Sequence, residues 1–358
     1  MQGGAGEIIE RSNNPPVHRR APQPAPKPVP KPAPKPARAA TPKTSSKSEQ
    51  SPTSKNSSRT PSSGSGNRRR AAEAAQRQPA EAEASESQPA EPDAQRVADA
   101  GAASAVINDH VEEAIEEGNK ARDAKRYDEA ERQYKQALVD DPQEARAFYG
   151  LGNIYMDQER FTEAAHAYEQ ALQSKPNYTD AHVRLGLSYA LLNRFNDAVE
   201  QGQQAIRLKP DYAPAHYLLG ITYDRQQRYQ EAIEQYEQTI RISPNHVHAR
   251  NKLGNIYGKL RRYDEAAAQF KEVIRLKPNS PIGYNNLCIT YYGKRLYTEA
   301  IENCKKAVSL EPNYALGYFN LGRAYLKVND KSAAMEQYST LQRLKSDWAE
   351  RLLREINQ

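Results

Sequence analysis

The sequence predicts an all-α protein in which seven helix pairs stack in file as an α-solenoid. One C-terminal helix closes the stack, and an arm with no core of its own precedes it. Three observations carry this expectation. Pro142, Pro176, Pro210, Pro244, Pro278 and Pro312 stand 34 residues apart. The alanines Ala130, Ala164, Ala198, Ala232, Ala266, Ala300 and Ala334, and the tyrosines Tyr155, Tyr189, Tyr223, Tyr257, Tyr291 and Tyr325, keep the same step. Composition is divided: 16 of the 24 prolines precede residue 93, whereas most large apolar residues lie beyond Val106.

The arm is read over residues 1–105 as a disordered, basic, Pro/Lys/Ala/Ser-rich linker. Residues 21–37, APQPAPKPVPKPAPKPA, fix φ at every second position and lack the amide donors that helix and sheet need, so polyproline II is expected. Residues 44–66 are Ser/Thr-rich coil, and residues 71–88 favour transient helix. Between residues 11 and 70 there are 14 Lys/Arg and one acidic residue, Glu49. This predicts at most weak contact with a polyanion such as nucleic acid or an anionic membrane. A spacer, or a Pro-rich ligand for an aromatic groove, fits the same residues. No Phe, Tyr or Trp is present to stack on bases. The net charge of +6 resides here, since residues 106–358 hold 35 basic and 35 acidic residues.

The repeats follow at 111–144, 145–178, 179–212, 213–246, 247–280, 281–314 and 315–346, within a repeat region spanning 106–346. Each begins with a helix carrying apolar residues at helical spacing, as in Phe148, Leu151 and Tyr155. After a short turn the second helix is expected to open on a side-chain cap: Asp128, Thr162, Asn196, Asp264, Thr298 or Ser332. A small residue on the first helix and alanine on the second let the helices cross closely. Turn aromatics such as Tyr127 and Phe161 fill the surrounding space, and the proline stops the second helix. Residues 347–358 form the capping helix, with Trp348, Leu352, Leu353 and Ile356 on one stripe.

This pattern resembles the tetratricopeptide repeat, W/Y-x₂-L-G-x₂-Y…A-x₃-F/Y…P, in copies such as Leu219-Gly220…Tyr223. The resemblance implies a right-handed superhelix whose first helices line a concave groove for extended peptides or partner helices. On this chain the implied partner-binding residues are Arg146, Tyr149, Asn153, Tyr217, His248, Asn251, Asn255, Asn285, Asn286, Phe319, Asn320 and Arg323. The asparagines concentrate in repeats 5 to 7. An amide that both donates and accepts can hold a peptide backbone without reading its side chains. The arrangement is similar to the asparagine-lined grooves of O-linked N-acetylglucosamine transferases and kinesin light chains. It departs from the chaperone-binding carboxylate clamp of Lys, Asn and Arg: the matching positions hold Asn251, Asn255, Asn286, Leu316 and Asn320, so the asparagines fit in part but the cations are absent.

No nucleotide loop, nucleophile elbow or HExxH motif is present, so no catalytic residue, metal or cofactor is expected. His182 and His216 share one repeat position and read as packing variants. Cys288 and Cys304 read as small buried hydrophobes that are near neighbours, with a redox-sensitive pair as the alternative. Two cysteines exclude a disulfide-stapled framework. With no apolar stretch near Met1 and no run of membrane-spanning length, cytoplasmic location is expected, an upstream start being the open alternative. The expected function is a non-catalytic adaptor that binds extended protein segments in the groove. A tether acting through its basic arm and a substrate-selecting subunit of a glycosyltransferase complex are the alternatives.

Overall fold

The structure, a computed structural model, describes the backbone of residues 92–358 and side chains from residue 105. The readings of residues 1–91 as a disordered arm, and of 11–70 as a polyanion contact, lie outside the described residues.

The described chain is helical throughout. Its helices are α1 (Pro92–Asp123), α2 (Tyr127–Asp140), α3 (Ala145–Asp157), α4 (Phe161–Ser174), α5 (Thr179–Leu191), α6 (Phe195–Leu208), α7 (Ala213–Arg225) and α8 (Tyr229–Ile242). There follow α9 (Val247–Lys259), α10 (Tyr263–Leu276), α11 (Pro281–Gly293), α12 (Tyr297–Leu310), α13 (Ala315–Lys327), α14 (Lys331–Arg343) and α15 (Trp348–Ile356). From α3 to α14 the helices fall in pairs whose first members start 34 residues apart, at Ala145, Thr179, Ala213, Val247, Pro281 and Ala315. α1 corrects one boundary, because it begins at Pro92, inside the range read as arm. The segment after Pro92, DAQRVADAGAASAV, contains no further proline and is rich in alanine, so helix can propagate through it.

The turn chemistry corrects the expected caps. Each first helix ends on a left-handed residue: Lys125, Glu159, Asn193, Gln227, Arg261, Arg295 and Asn329 all have φ near 60°. In repeat 2 the Glu159 amide donates to Met156 O at 3.1 Å and the Arg160 amide to Tyr155 O at 2.8 Å. This is a Schellman closure, which satisfies the last carbonyls of the first helix. It delivers the chain into the second helix one residue before the predicted cap. The second helices thus start at Tyr127, Phe161, Phe195, Tyr263, Tyr297 and Lys331, and Asp128, Thr162, Asn196, Asp264, Thr298 and Ser332 fall inside the first turn. The cap position holds Arg126, Arg160, Arg194, Arg228 or Arg262, none with a side-chain cap bond. From Arg160 to Arg262 each guanidinium lies 4.0–4.5 Å over the preceding tyrosine ring, as Arg160 does over Tyr155. Asp330 alone in the series caps with its carboxylate, accepting from the Ala333 amide.

Packing inside a pair follows one device. An added Cβ on Gly152 would sit 2.5 Å from the Tyr168 ring, and one on Gly220 or Gly254 would sit 2.7 Å from Tyr236 or Phe270. The glycine lets a buried ring approach the first helix closely. Truncating such a ring costs about 3–5 kcal/mol. Repeat 3 carries Gly202 at the ring position, and Leu219 of the next repeat fills the space. Repeat 6 differs again. Cys288 and Cys304 are buried, as expected of small hydrophobes, but they are joined: S–S is 2.06 Å and Cα–Cα 5.4 Å. The reading of two separate apolar thiols is corrected. Gly-and-ring positions face each other across the pair, so cysteines in both meet at bonding distance.

Each second helix contacts the first helix of the next repeat. First helices also approach one another along parts of the stack (α5 with α7, α9 with α11, α11 with α13) and give it a first-helix face. α15 covers the end of this face: Leu352 lies against Gly322, and the Trp348 ring is 4.6 Å from Phe319. No helix among the described residues is long and apolar enough to cross a membrane.

Candidate functional site

The first-helix face is not uniform, because the fold itself uses many of its polar groups. At repeat 2, Arg146 is exposed, yet its guanidinium pairs with Glu112 and Glu144, each at 2.7 Å. The arginine holds both carboxyls below the usual carboxylate range through direct hydrogen bonds. The Tyr149 ring sits 5.6 Å from Tyr168 and 5.0 Å from Tyr178. Asn153 is buried and accepts the Tyr168 hydroxyl at 2.8 Å. Burial pushes that phenol well above its ordinary range, which favours the protonated, donating form.

The far end is likewise engaged. Phe319 is buried against the capping helix. Arg323 donates to Glu355 at 3.0 Å and lies over the Tyr292 and Phe319 rings. Asn320 donates to Asn285 Oδ1 at 2.9 Å, and both amides are buried, which ties repeat 6 to repeat 7. In repeat 4, Tyr217 is buried with its ring 5.9 Å from Tyr236 and 4.7 Å from His246. His248 is half-buried beside His246. His246 caps α9 by accepting from the Ala249 amide at 3.0 Å. Burial, then the nearby His248, holds its pKa below the ordinary histidine value.

The middle of the face is open. A depression of about 710 Å³ lies between α9, α10 and α11, with Asp224 of α7 at its edge. Of the twelve expected residues it brings together Asn255, exposed, and Asn286, half-buried. Asn251, half-buried in the same helix as Asn255, has a buried Oδ1 with no hydrogen-bond partner among the described residues. Charged groups border the depression: Lys252, and Lys259 paired with Asp224 at 3.0 Å. Thr290, Tyr292 and Ile289 form the opposite wall. Ile289 keeps 44% of its surface exposed, as does Ile282 one helical heptad earlier.

Sequence reasoning missed Gly258 and Ile289. At the Gly258 position the other repeats carry Arg122, Met156, Ala190, Asp224, Tyr292 and Leu326. A Cβ on Gly258 would meet nothing within 4 Å, unlike Gly152 or Gly254. The loss of bulk hollows the face there, and it was visible as a break in the repeat. Ile289 lies 34 residues after Asn255 and shares its repeat position with the buried Leu187 and Ile221, so only its exposure sets it apart, and the sequence does not show that.

The histidine pair is structural. His182 bridges Gln201 and the Pro176 carbonyl, and His216 bridges Gln235 and the Pro210 carbonyl. Arg250 makes the equivalent bonds to Gln269 and Pro244 in repeat 5, so any donor of suitable reach serves. Among the described residues no group of His, Cys, Asp and Glu is arranged to hold a metal ion.

Comparison with known proteins agrees with this architecture. A tetratricopeptide repeat family model matches residues 115–178, 149–213 and 217–281. Two related models, described as TPR repeat and tetratricopeptide repeat, match 297–329 and 315–347. No curated protein matches the chain. Among solved structures, a tetratricopeptide repeat protein from Parabacteroides merdae is 20% identical, with a TM-score of 0.53, covering 70% of this chain and all of that one. Pseudomonas aeruginosa pilF is 20% identical, with a TM-score of 0.51, covering 59% of this chain and 97% of that one. A chain of the APC/C hetero-tetramer Cut9-Hcn1 is 17% identical, with a TM-score of 0.52 over 63% of this chain, and this chain spans 45% of its length. At these identities the structural likeness concerns the fold, while the family models cover most of the repeat region. The chain is a member of the tetratricopeptide repeat family.

Proposed function

We propose that this protein is a non-catalytic scaffold that holds an extended segment of a partner protein across the first helices of repeats 4 to 6. Tetratricopeptide repeat proteins in general mediate protein–protein interaction and peptide binding, and the fold is typically a scaffold rather than a catalyst. The fold does not choose the partner, so the site must. The observation that carries the reading is the depression beside Gly258. It combines side-chain amides at Asn255 and Asn286, suited to a peptide backbone, with exposed apolar surface at Ile289, suited to one inserted side chain. At the two ends of the face, the corresponding groups already bond within the fold.

Gly258→Met tests this directly. The new side chain enters open space, so the helix is retained and gains up to about 1 kcal/mol in propensity. Affinity capture with the full chain is expected to hold specific proteins, and Gly258→Met and Asn255→Ala/Asn286→Ala to lose them, with unchanged helicity by circular dichroism. Capture that survives both variants overturns the reading.

A further inference from the structure

The Cys288–Cys304 cross-link occupies a revealing place. In repeats 2, 4 and 5 these two positions hold a glycine and a ring: Gly152 with Tyr168, Gly220 with Tyr236, Gly254 with Phe270. Repeat 6 has lost the ring, and Leu321 of the next repeat, at the position Leu219 holds beside Gly202, packs in the same buried cluster as the cysteines. The buried members there are Cys288, Ala300, Cys304, Leu321 and Ala324, and the aromatic residues packed against them, Tyr291, Tyr292 and Tyr325, are only partly buried. This helix pair therefore lacks the buried ring that repeats 2, 4 and 5 carry at the Cys304 position.

We propose that Cys288 and Cys304 are an oxidative folding site, a cross-link that replaces the missing ring and is formed because the chain matures in an oxidising compartment. Three observations support it. The sulfurs are buried, Cys288 at 1% and Cys304 at 0% exposure. The bond closes a separation of 16 residues, spanning the α11–α12 turn. The flanking residues Asn286, Ile289 and Thr290 on α11 form one wall of the depression, so the same helix that is pinned also shapes the proposed binding face. Disulfides persist in secreted, periplasmic and other oxidising settings and are rare where thiols are kept reduced. The inference therefore departs from the cytoplasmic location expected from the sequence.

The chemistry is thiol–disulfide exchange with a disulfide donor, either a small molecule or an oxidoreductase. One cysteine thiolate attacks a donor sulfur and expels one donor thiol, forming a mixed disulfide. The second cysteine thiolate then attacks the first, forming Cys288–Cys304 and releasing the other donor thiol. Two electrons and both thiol protons end on the reduced donor. Because neither sulfur is reachable in the closed repeat, exchange precedes the docking of α12 on α11.

The full chain from the cells that make it, quenched in acid and alkylated in denaturant with N-ethylmaleimide, tests the proposal by intact mass. The expected result is no adduct before reduction and two adducts after it. Two adducts before reduction overturn it. Thermal melts of the oxidised and the reduced full chain give a second reading, with the reduced form expected to melt about 5 °C or more lower. Coincident melts overturn the stabilising role. In Cys288→Gly/Cys304→Tyr, which restores the glycine and ring, most of the lost midpoint should return and reductant should have no effect.

Discussion

Repeats 2 and 5 are built to one plan and present the same positions on the first-helix face, yet they do opposite things there. In repeat 2, Arg146 is neutralised by Glu112 and Glu144, and Asn153 receives the Tyr168 hydroxyl. In repeat 5, the residue equivalent to Asn153 is Asn255, which is exposed beside a hollow. The difference teaches that a repeat position does not define a binding residue. The role depends on whether the fold has already used the side chain's donors and acceptors. Asn153 is matched to a tyrosine hydroxyl because repeat 2 has Tyr168 on its glycine. Repeat 5 has Phe270 there, with no hydroxyl to give.

The comparison can be broken first at its supports. Leu352→Ala removes the fully buried side chain that closes the last repeat, and chemical denaturation should show a loss of about 2–5 kcal/mol. The same experiment with Gly152→Ala should lose about 1–3 kcal/mol, since the new methyl lies within the Tyr168 ring contact. Gly258→Ala should instead gain about 0.5–1 kcal/mol, because its methyl enters open space. Opposite signs for two glycines of the same family of helices sharpen the distinction between a packing glycine and a hollowing one.

Smaller effects follow from single polar groups. Tyr168→Phe leaves the buried Asn153 oxygen without its donor and should cost about 1–3 kcal/mol. Acidification acts on His246. Its folded pKa is depressed by burial and by His248. The stability it contributes is therefore complete above the unfolded value of about 6.5 and is lost as pH falls below it. Protonation also ends the acceptor role at the α9 cap. His246→Asp should keep the cap and flatten stability between about pH 5 and 7, measured by denaturant midpoint, while the wild type declines over that range.

Much of this architecture was legible in the residues. Prolines, alanines and tyrosines at a fixed step name the helix pairs, and the stripe Trp348, Leu352, Ile356 names the last helix. The start of α1 was not legible, because the composition of residues 93–110 resembles the arm more than the repeats. The caps were misread because a left-handed residue such as Glu159 is not glycine, so the Schellman turn carries no signature in composition. At the candidate site, the face was legible from the repeat. Which members remain open was not, since that depends on contacts such as Asn285 with Asn320, 35 residues apart. The disulfide was legible only as proximity.

The most direct test of the central claim is site-specific photo-cross-linking of the full chain in the cells that make it. A photoreactive phenylalanine analogue at Ile289 would be compared with one at Val139, which is 72% exposed on α2. The account predicts a partner peptide joined at Ile289 and none at Val139. Capture of the same partner at Val139, with none at Ile289, would contradict it.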